Sequence, residues 1–269
     1  MRIGNREFDV DNKTYIMGIL NVTPDSFSDG GKWNHLDAAL QHAEEMVREG
    51  ADIVDVGGES TRPGHIKITE QEEIERVAPM IEAIRARLDV PISIDTYKAS
   101  VAQAALEAGA DLVNDIWGLK YDPKMAQVIA KSQAACCLMH NKDKAEYKDF
   151  YEDMLQETAQ CVELALEAGI GKDKIILDPG VGFGKTYEMN LETICHMERF
   201  HKLGYPLLLG TSRKSVIGLT LDLPADQREE GTLVTTVMAV QKRYAFVRVH
   251  DVRANLRAIR MTEAILAQG

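Results

Sequence analysis

Short runs of aliphatic and β-branched residues alternate with longer amphipathic stretches from one end of the chain to the other. The runs at 15–20, 52–56, 92–94, 112–113, 134–139, 175–177, 207–209 and 246–249 are too short for helices and rich in Val, Ile and Leu, which predicts buried strands. Between them apolar residues recur at helical spacing. Leu36, Ala39, Leu40, Ala43 and Val47 share a face and stop at Gly50, a residue suited to a helix C-terminus. Ile74, Val77, Ala78, Ile81, Ile84 and Leu88 form a second stripe, preceded by Thr69 and Glu72 at the spacing of a capping box. Further helical patterns cover 99–107, 126–131, 154–168, 191–203, 234–243 and 255–266.

Eight strand–helix pairs in 269 residues predict an α/β fold of the (β/α)8 TIM-barrel type, whose usual length is about 250 residues. An open doubly wound sheet shares the alternation. Even spacing of the strands and the lack of a linker favour one barrel, a single domain over residues 1–269. Ile3 and Phe8 flank Gly4-Asn5 ahead of the first strand, which predicts a short N-terminal β-hairpin covering the barrel floor.

A hydrophobic fraction of 45% and a charged fraction of 27% are ordinary for a globular protein. The net charge of −11 argues against a nucleic-acid or anionic-membrane partner, so an anionic small substrate needs a local basic cluster. No apolar run approaches the roughly 20 residues of a membrane span, and the first residues lack the apolar core of a secretory signal. Cys136, Cys137, Cys161 and Cys195 show no CxxC spacing, so reduced thiols and a cytoplasmic location are expected. Cys136 and Cys137, adjacent in a strand, should point to opposite faces.

A barrel of this kind carries its chemistry at the C-terminal ends of the strands. In order, the runs end in Asn21, in Asp55 followed by Glu59-Ser-Thr-Arg62, in Asp95, in Asn114-Asp115, in Met139-His140, in Asp178-Pro-Gly180 and in Gly210-Thr-Ser-Arg-Lys-Ser215, and the last carries Arg248 and His250. A lone polar residue after a strand is most simply a cap for the next helix, the reading taken for Asp115 and Asp251. Polar groups at nearly every strand end converge instead on one mouth. Arg248 and His250 share a face, and barrel closure brings them near Asn21, a set suited to a diphosphate and Mg²⁺. Asp95, Asn114, Asp178 and Lys214 supply acceptors and a cation, as a fused heterocycle with an amino group, ring nitrogens and a carbonyl requires. In Asp178-Pro-Gly-Val-Gly-Phe-Gly-Lys185 a proline stands at the first glycine of a Walker loop, and the glycines alternate, which excludes both phosphate-loop fingerprints. Here they turn the backbone tightly and present Phe183 to the mouth.

That segment, Ser93-Ile-Asp-Thr96, Gly210-Thr-Ser-Arg-Lys-Ser215, Arg248-Val-His-Asp251 and the loops at 17–31 and 55–64 resemble the signatures of the dihydropteroate synthase family, in the family's order. The resemblance implies a transferase that condenses 6-hydroxymethyl-7,8-dihydropterin diphosphate with p-aminobenzoate. It implies catalytic roles for Asp95, Lys214 and Arg248, and a pterin pocket of Asp95, Asn114, Asp178, Lys214 and Arg248. It assigns p-aminobenzoate, for which sulfonamides compete in the family, to Phe27, Thr61, Arg62, Pro63, Phe183 and Ser215. The diphosphate falls to Asn21, Arg62, Arg248 and His250, with Mg²⁺ on Asn21. It also implies a homodimer, for which an apolar patch on a late helix would be the mark. One segment departs from the family: Asn141-Lys-Asp-Lys-Ala-Glu-Tyr147 replaces a Met-Gln-Gly-type loop. The rivals are a folate-dependent methyltransferase acting on a corrinoid protein, disfavoured by the Thr-Arg-Pro-Gly and Ser-Arg-Lys-Ser loops, and a non-catalytic pterin binder, which needs no diphosphate site.

Overall fold

A computed structural model describes residues 1–23, 32–59 and 67–268, with backbone alone at 32–35. Strands β1 (Arg2–Ile3) and β2 (Arg6–Glu7) pair antiparallel as the expected hairpin. The barrel strands are β3 (Tyr15–Asn21), β4 (Ile53–Gly57), β5 (Ile92–Asp95), β6 (Leu112–Asp115), β7 (Ala135–Met139), β8 (Ile175–Asp178), β9 (Leu208–Leu209) and β10 (Phe246–Val249). They form one parallel sheet in the order β8-β7-β6-β5-β4-β3-β10-β9. A parallel bridge from Leu177 to Leu207 joins its two ends into a nearly closed barrel.

The helices between them are α1 (Lys32–Glu49), α2 (Glu70–Arg87), α3 (Ala99–Glu107), α4 (Met125–Ser132), α5 (Phe150–Glu167), α6 (Tyr187–Cys195), α7 (Ser215–Leu221), α8 (Glu229–Gln241) and α9 (Val252–Leu266). Thr69 caps α2 as its spacing predicts, its Oγ1 accepting from Glu72 N at 3.2 Å. The reciprocal half of the capping box is absent: the Glu72 carboxylate pairs with Arg76 one turn on, at 2.5 Å.

Alternation along each strand decides what fills the barrel. Ile16, Val54 and Cys136 face the helices, whereas their neighbours Met17, Ile53 and Cys137 face inward with Leu112, Ile176, Leu208 and Phe246. The hairpin seals this lower layer: Ile3 and Phe8 are buried in it. One pleat further on, the inward positions become Asp55, Asp95, Asn114, Asp178 and Arg248. The apolar lower layer packs the barrel shut, and the polar upper layer faces the C-terminal mouth.

Two elements differ from expectation. The single helix over 191–203 is broken at His196, where α6 ends and a 3-10 segment, Met197–Leu203, begins. Helix α7 was unexpected, because Gly218 and three β-branched residues hide its period. Gly218 belongs there because the Arg228 guanidinium occupies the space a side chain would need.

Candidate active site

The Arg248 guanidinium reaches across the barrel from β10. Its Nε donates to Asp55 Oδ2 and its Nη2 to Asp95 Oδ2, both at 2.6 Å. Burial lifts Asp95 above the usual carboxylate range, to about 7, against the pull of Arg248. Burial opposes the arginine's charge too, but the two carboxylates outweigh it and hold the guanidinium protonated. Asp55 Oδ1, Asp95 Oδ1 and Ser93 Oγ are buried without a hydrogen-bond partner among the described residues, which leaves acceptors open beneath the mouth. Asn114 is buried in register beside Asp95.

Two glycines shape the space above. A methyl group built on Gly210 would lie 3.4 Å from Asp178 Oδ2, 3.8 Å from Lys214 Nζ and 4.0 Å from Arg248 Cβ. One built on Gly57 would lie 3.5 Å from Asn21 Oδ1 and 3.8 Å from Asp95 Oδ2. Charged and amide groups from β3, β5, β8, β10 and the loop after β9 therefore converge around two positions that carry no side chain. Burial lowers Lys214 to about 8, while Asp178 pulls it upward.

Lys214 Nζ donates to Val181 O at 2.5 Å and stands 4.7 Å from the centre of the Phe183 ring. Asp178 Oδ1 accepts from Gly180 N at 2.7 Å and so starts the tight turn of the glycine loop. Gly180 has φ +69, and a Cβ there would sit 1.9 Å from His140 O, so no other residue fits. Tyr97, Ile116 and Met139 form an apolar cluster with Trp117 and that same Phe183. A flat polar ring would meet hydrogen-bonding groups at its edge and apolar groups on its faces.

A model of the pterin binding enzyme family matches residues 17–250. A dihydropteroate synthase of Clostridium beijerinckii is 58% identical over 267 residues, covering 99% of each chain. The chain belongs to the dihydropteroate synthase family. Solved structures agree with this assignment. The dihydropteroate synthase of Clostridium difficile, crystallised in the presence of pteroic acid, superposes with a TM-score of 0.94 at 55% identity, covering 96% of this chain and 99% of that one. That of Yersinia pestis, in complex with a sulfonamide drug, gives 0.92 at 40% identity, covering 100% and 99%.

Of the residues that resemble dihydropteroate synthase site positions, Asp95, Asn114, Asp178, Lys214 and Arg248 lie in the upper layer or at its rim. Asn21 ends β3, facing Gly57. His250 lies just past β10; its Nδ1 is 2.9 Å from Ser212 Oγ, and that oxygen also accepts from His250 N at 3.2 Å. Ser215 is the exposed first residue of α7. Phe27, Thr61, Arg62 and Pro63 lie outside the described residues.

Asp115 does not cap the next helix: it accepts from Trp117 N and Leu119 N at 2.8 and 2.7 Å and closes the turn after β6, ahead of α4. Asp251 stands at the N-cap position of α9 without a side-chain cap bond. Its carboxylate instead binds Arg213 at 3.1 and 2.5 Å and ties the loop after β9 to the end of β10. His140 turns away from the mouth. It is fully buried, with Nε2 2.8 Å from Glu157 Oε2 and Nδ1 3.0 Å from Lys185 Nζ. Burial lowers its pKa to about 4, so the ring is neutral at physiological pH.

Asp55 ends a strand in the sequence but was given no role there. Its position two residues before Gly57, on the inward face, is the signal that finds it. Glu59, one of the strand-end groups, meets partners the sequence did not single out: it accepts from Tyr97 Oη at 2.5 Å and from Lys98 Nζ at 2.8 Å, and Lys98 also reaches Glu73 at 2.7 Å. This buried network, with Ile68 N donating to Glu59 at 2.9 Å, anchors both ends of the segment that carries Thr61, Arg62 and Pro63.

Proposed function

We propose that this chain condenses 6-hydroxymethyl-7,8-dihydropterin diphosphate with p-aminobenzoate, giving 7,8-dihydropteroate and pyrophosphate. The observation that carries this reading is the convergence of Asp95, Asp178, Lys214 and Arg248 around Gly57 and Gly210, at the mouth of a barrel of this family. Asp95, Asn114 and Asp178 accept from the pterin's N–H groups, Lys214 donates to its acceptors, and Arg248 lies along the ring. The diphosphate faces Asn21, Arg62 and His250, and Phe27, Thr61, Arg62, Pro63, Phe183 and Ser215 bound the arylamine.

Breaking the methylene C–O bond releases pyrophosphate and leaves a cation that the pterin ring delocalises. The amine then forms the C–N bond and loses a proton. A dissociative route of this kind asks for charge stabilisation and positioning more than for a strong base. Asp95 is the group placed to stabilise the cation.

Asn21 and the space left by Gly57 fit Mg²⁺, an ion that commonly takes few protein ligands and fills the rest with water and phosphate oxygens. Among the described residues no trio of His, Cys, Asp or Glu forms a closed cage for a metal. Bound there, Mg²⁺ would neutralise charge on the departing pyrophosphate.

The direct test is multiple-turnover release of pyrophosphate, expected in equal amount to dihydropteroate and sustained only with both substrates present. Sustained release indifferent to p-aminobenzoate would overturn the reading. The titrations set a pH profile. Asp95 must be ionised, so kcat/KM should rise through about pH 7, and Lys214 must be protonated, so it should fall through about pH 8. Lys214→Arg, which holds its proton, should move only the alkaline limb upward. A profile flat from about pH 6 to about pH 9 contradicts both roles.

A second copy of the chain is the partner we assign to the late helices. Leu219, Val234, Met261 and Ile265 of α7, α8 and α9 are each 60–68% exposed, and a cluster of such side chains marks a contact surface. Sedimentation should give twice the chain mass, and Val234→Lys with Met261→Lys should return it to one; a monomeric parent contradicts the assignment. No helix of the described residues is long and apolar enough to cross a membrane. The four thiols are unpaired, which suits a reducing cytoplasm.

A further inference from the structure

The divergent loop 141–147 does not stand apart from the site. Tyr147 Oη donates to Gly184 O at 2.7 Å. Lys142 lies over the Tyr147 ring, 4.3 Å from its centre, and donates to Glu157 Oε1 at 2.6 Å. Glu157 in turn holds the Nε2 proton of neutral His140, and the free lone pair of His140 Nδ1 accepts from Lys185. Lys185 Nζ spends its other two N–H groups on Gly180 O at 2.9 Å and Phe183 O at 3.1 Å. In its ammonium form Lys185 thus meets three acceptors with three donors, although burial lowers its pKa to about 7.

The two halves of that loop are held differently. Val181, whose carbonyl holds Lys214, is flanked by Gly180 N on Asp178 and by Gly182 N on Asn190 Oδ1 at 2.6 Å. Phe183 is tied within the loop by its N donating to Gly180 O at 3.1 Å. Its carbonyl accepts from Lys185 and that of Gly184 from Tyr147. We propose that Lys185 and Tyr147 are positioning residues that fix the Phe183 ring as a wall of the arylamine subsite, so that Tyr147 ties loop 141–147 to affinity for the second substrate. This rests on the assignment of Phe183 to p-aminobenzoate.

The test is steady-state kinetics with both substrates varied, on Lys185→Met and Tyr147→Phe. Lys185→Met takes the Lys185 donor from Phe183 O and from the His140 ring nitrogen, while Gly180 O keeps its bond from Phe183 N, and its KM for p-aminobenzoate should rise roughly tenfold or more. Tyr147→Phe removes one hydroxyl at a partly exposed site, should fold normally, and should raise the same KM about threefold to fivefold. In both, the KM for the pterin diphosphate should stay within about twofold, because the Val181 half keeps its anchors. A merely structural role would lower the melting temperature and leave this split absent. If Lys185→Met is insoluble, Tyr147→Phe decides alone. An active parent whose variants show no rise for p-aminobenzoate, or equal rises for both substrates, overturns the inference and leaves the activity standing. A parent inactive with p-aminobenzoate overturns the activity and the inference with it.

Discussion

Arg248→Met is expected to lower kcat/KM by about a thousandfold or more and to cost roughly 3–5 kcal/mol of stability. Both effects follow from the two 2.6 Å contacts of its guanidinium. Without Arg248, the fully buried Asp55 carboxylate and its neighbour Asp95 face each other with no neutralising charge between them. Burying a lone carboxylate is costly, so both groups would take up protons or the upper layer would open to water. Protonated Asp95 cannot stabilise a cation, and the ring loses the cationic group lying along it. The control is Arg248→Met with Asp55→Asn. Removing the orphaned charge should recover part of the stability and none of the activity. Urea unfolding and turnover, measured side by side, separate the two effects; a stable and active Arg248→Met would contradict both.

Asp95→Asn should reduce kcat at least about tenfold while leaving the fold intact. The amide oxygen can still accept from Arg248 Nη2, so packing and the hydrogen bond survive while the charge goes. The loss should fall on kcat, because the carboxylate matters most when positive charge develops on the pterin methylene. The acid limb near pH 7 should vanish with the carboxyl group that causes it. A near-normal kcat, or an acid limb left in place, would take Asp95 out of the chemistry.

The barrel was legible because its strands are buried on both faces and read as continuous aliphatic runs. The site was legible for a related reason: on β4, β6, β8 and β10 the inward position changes from apolar to polar toward the C-terminal end, as at Ile176 and Asp178 or Phe246 and Arg248. What stayed hidden depends on partners distant in the chain. Asp251 looks like a cap until Arg213, 38 residues away, is seen on it. His140 ends its strand like the site residues, yet the chain has turned, and its ring meets Glu157 and Lys185 behind the loop. Lys98, Glu59 and Glu73 are far apart in the sequence, and only folding buries them together. Helix α7 was masked by Gly218, whose reason is Arg228 and not the local sequence.

The most direct measurement is a crystal structure of this protein with a non-reactive pterin and pyrophosphate bound. The expected density places the bicyclic ring over Gly210, edge-on to Asp95, Asn114, Asp178 and Lys214, with pyrophosphate between Asn21 and His250. A pterin seated anywhere else, or a pyrophosphate far from Asn21, would mean that these strand-end groups do not form a common site.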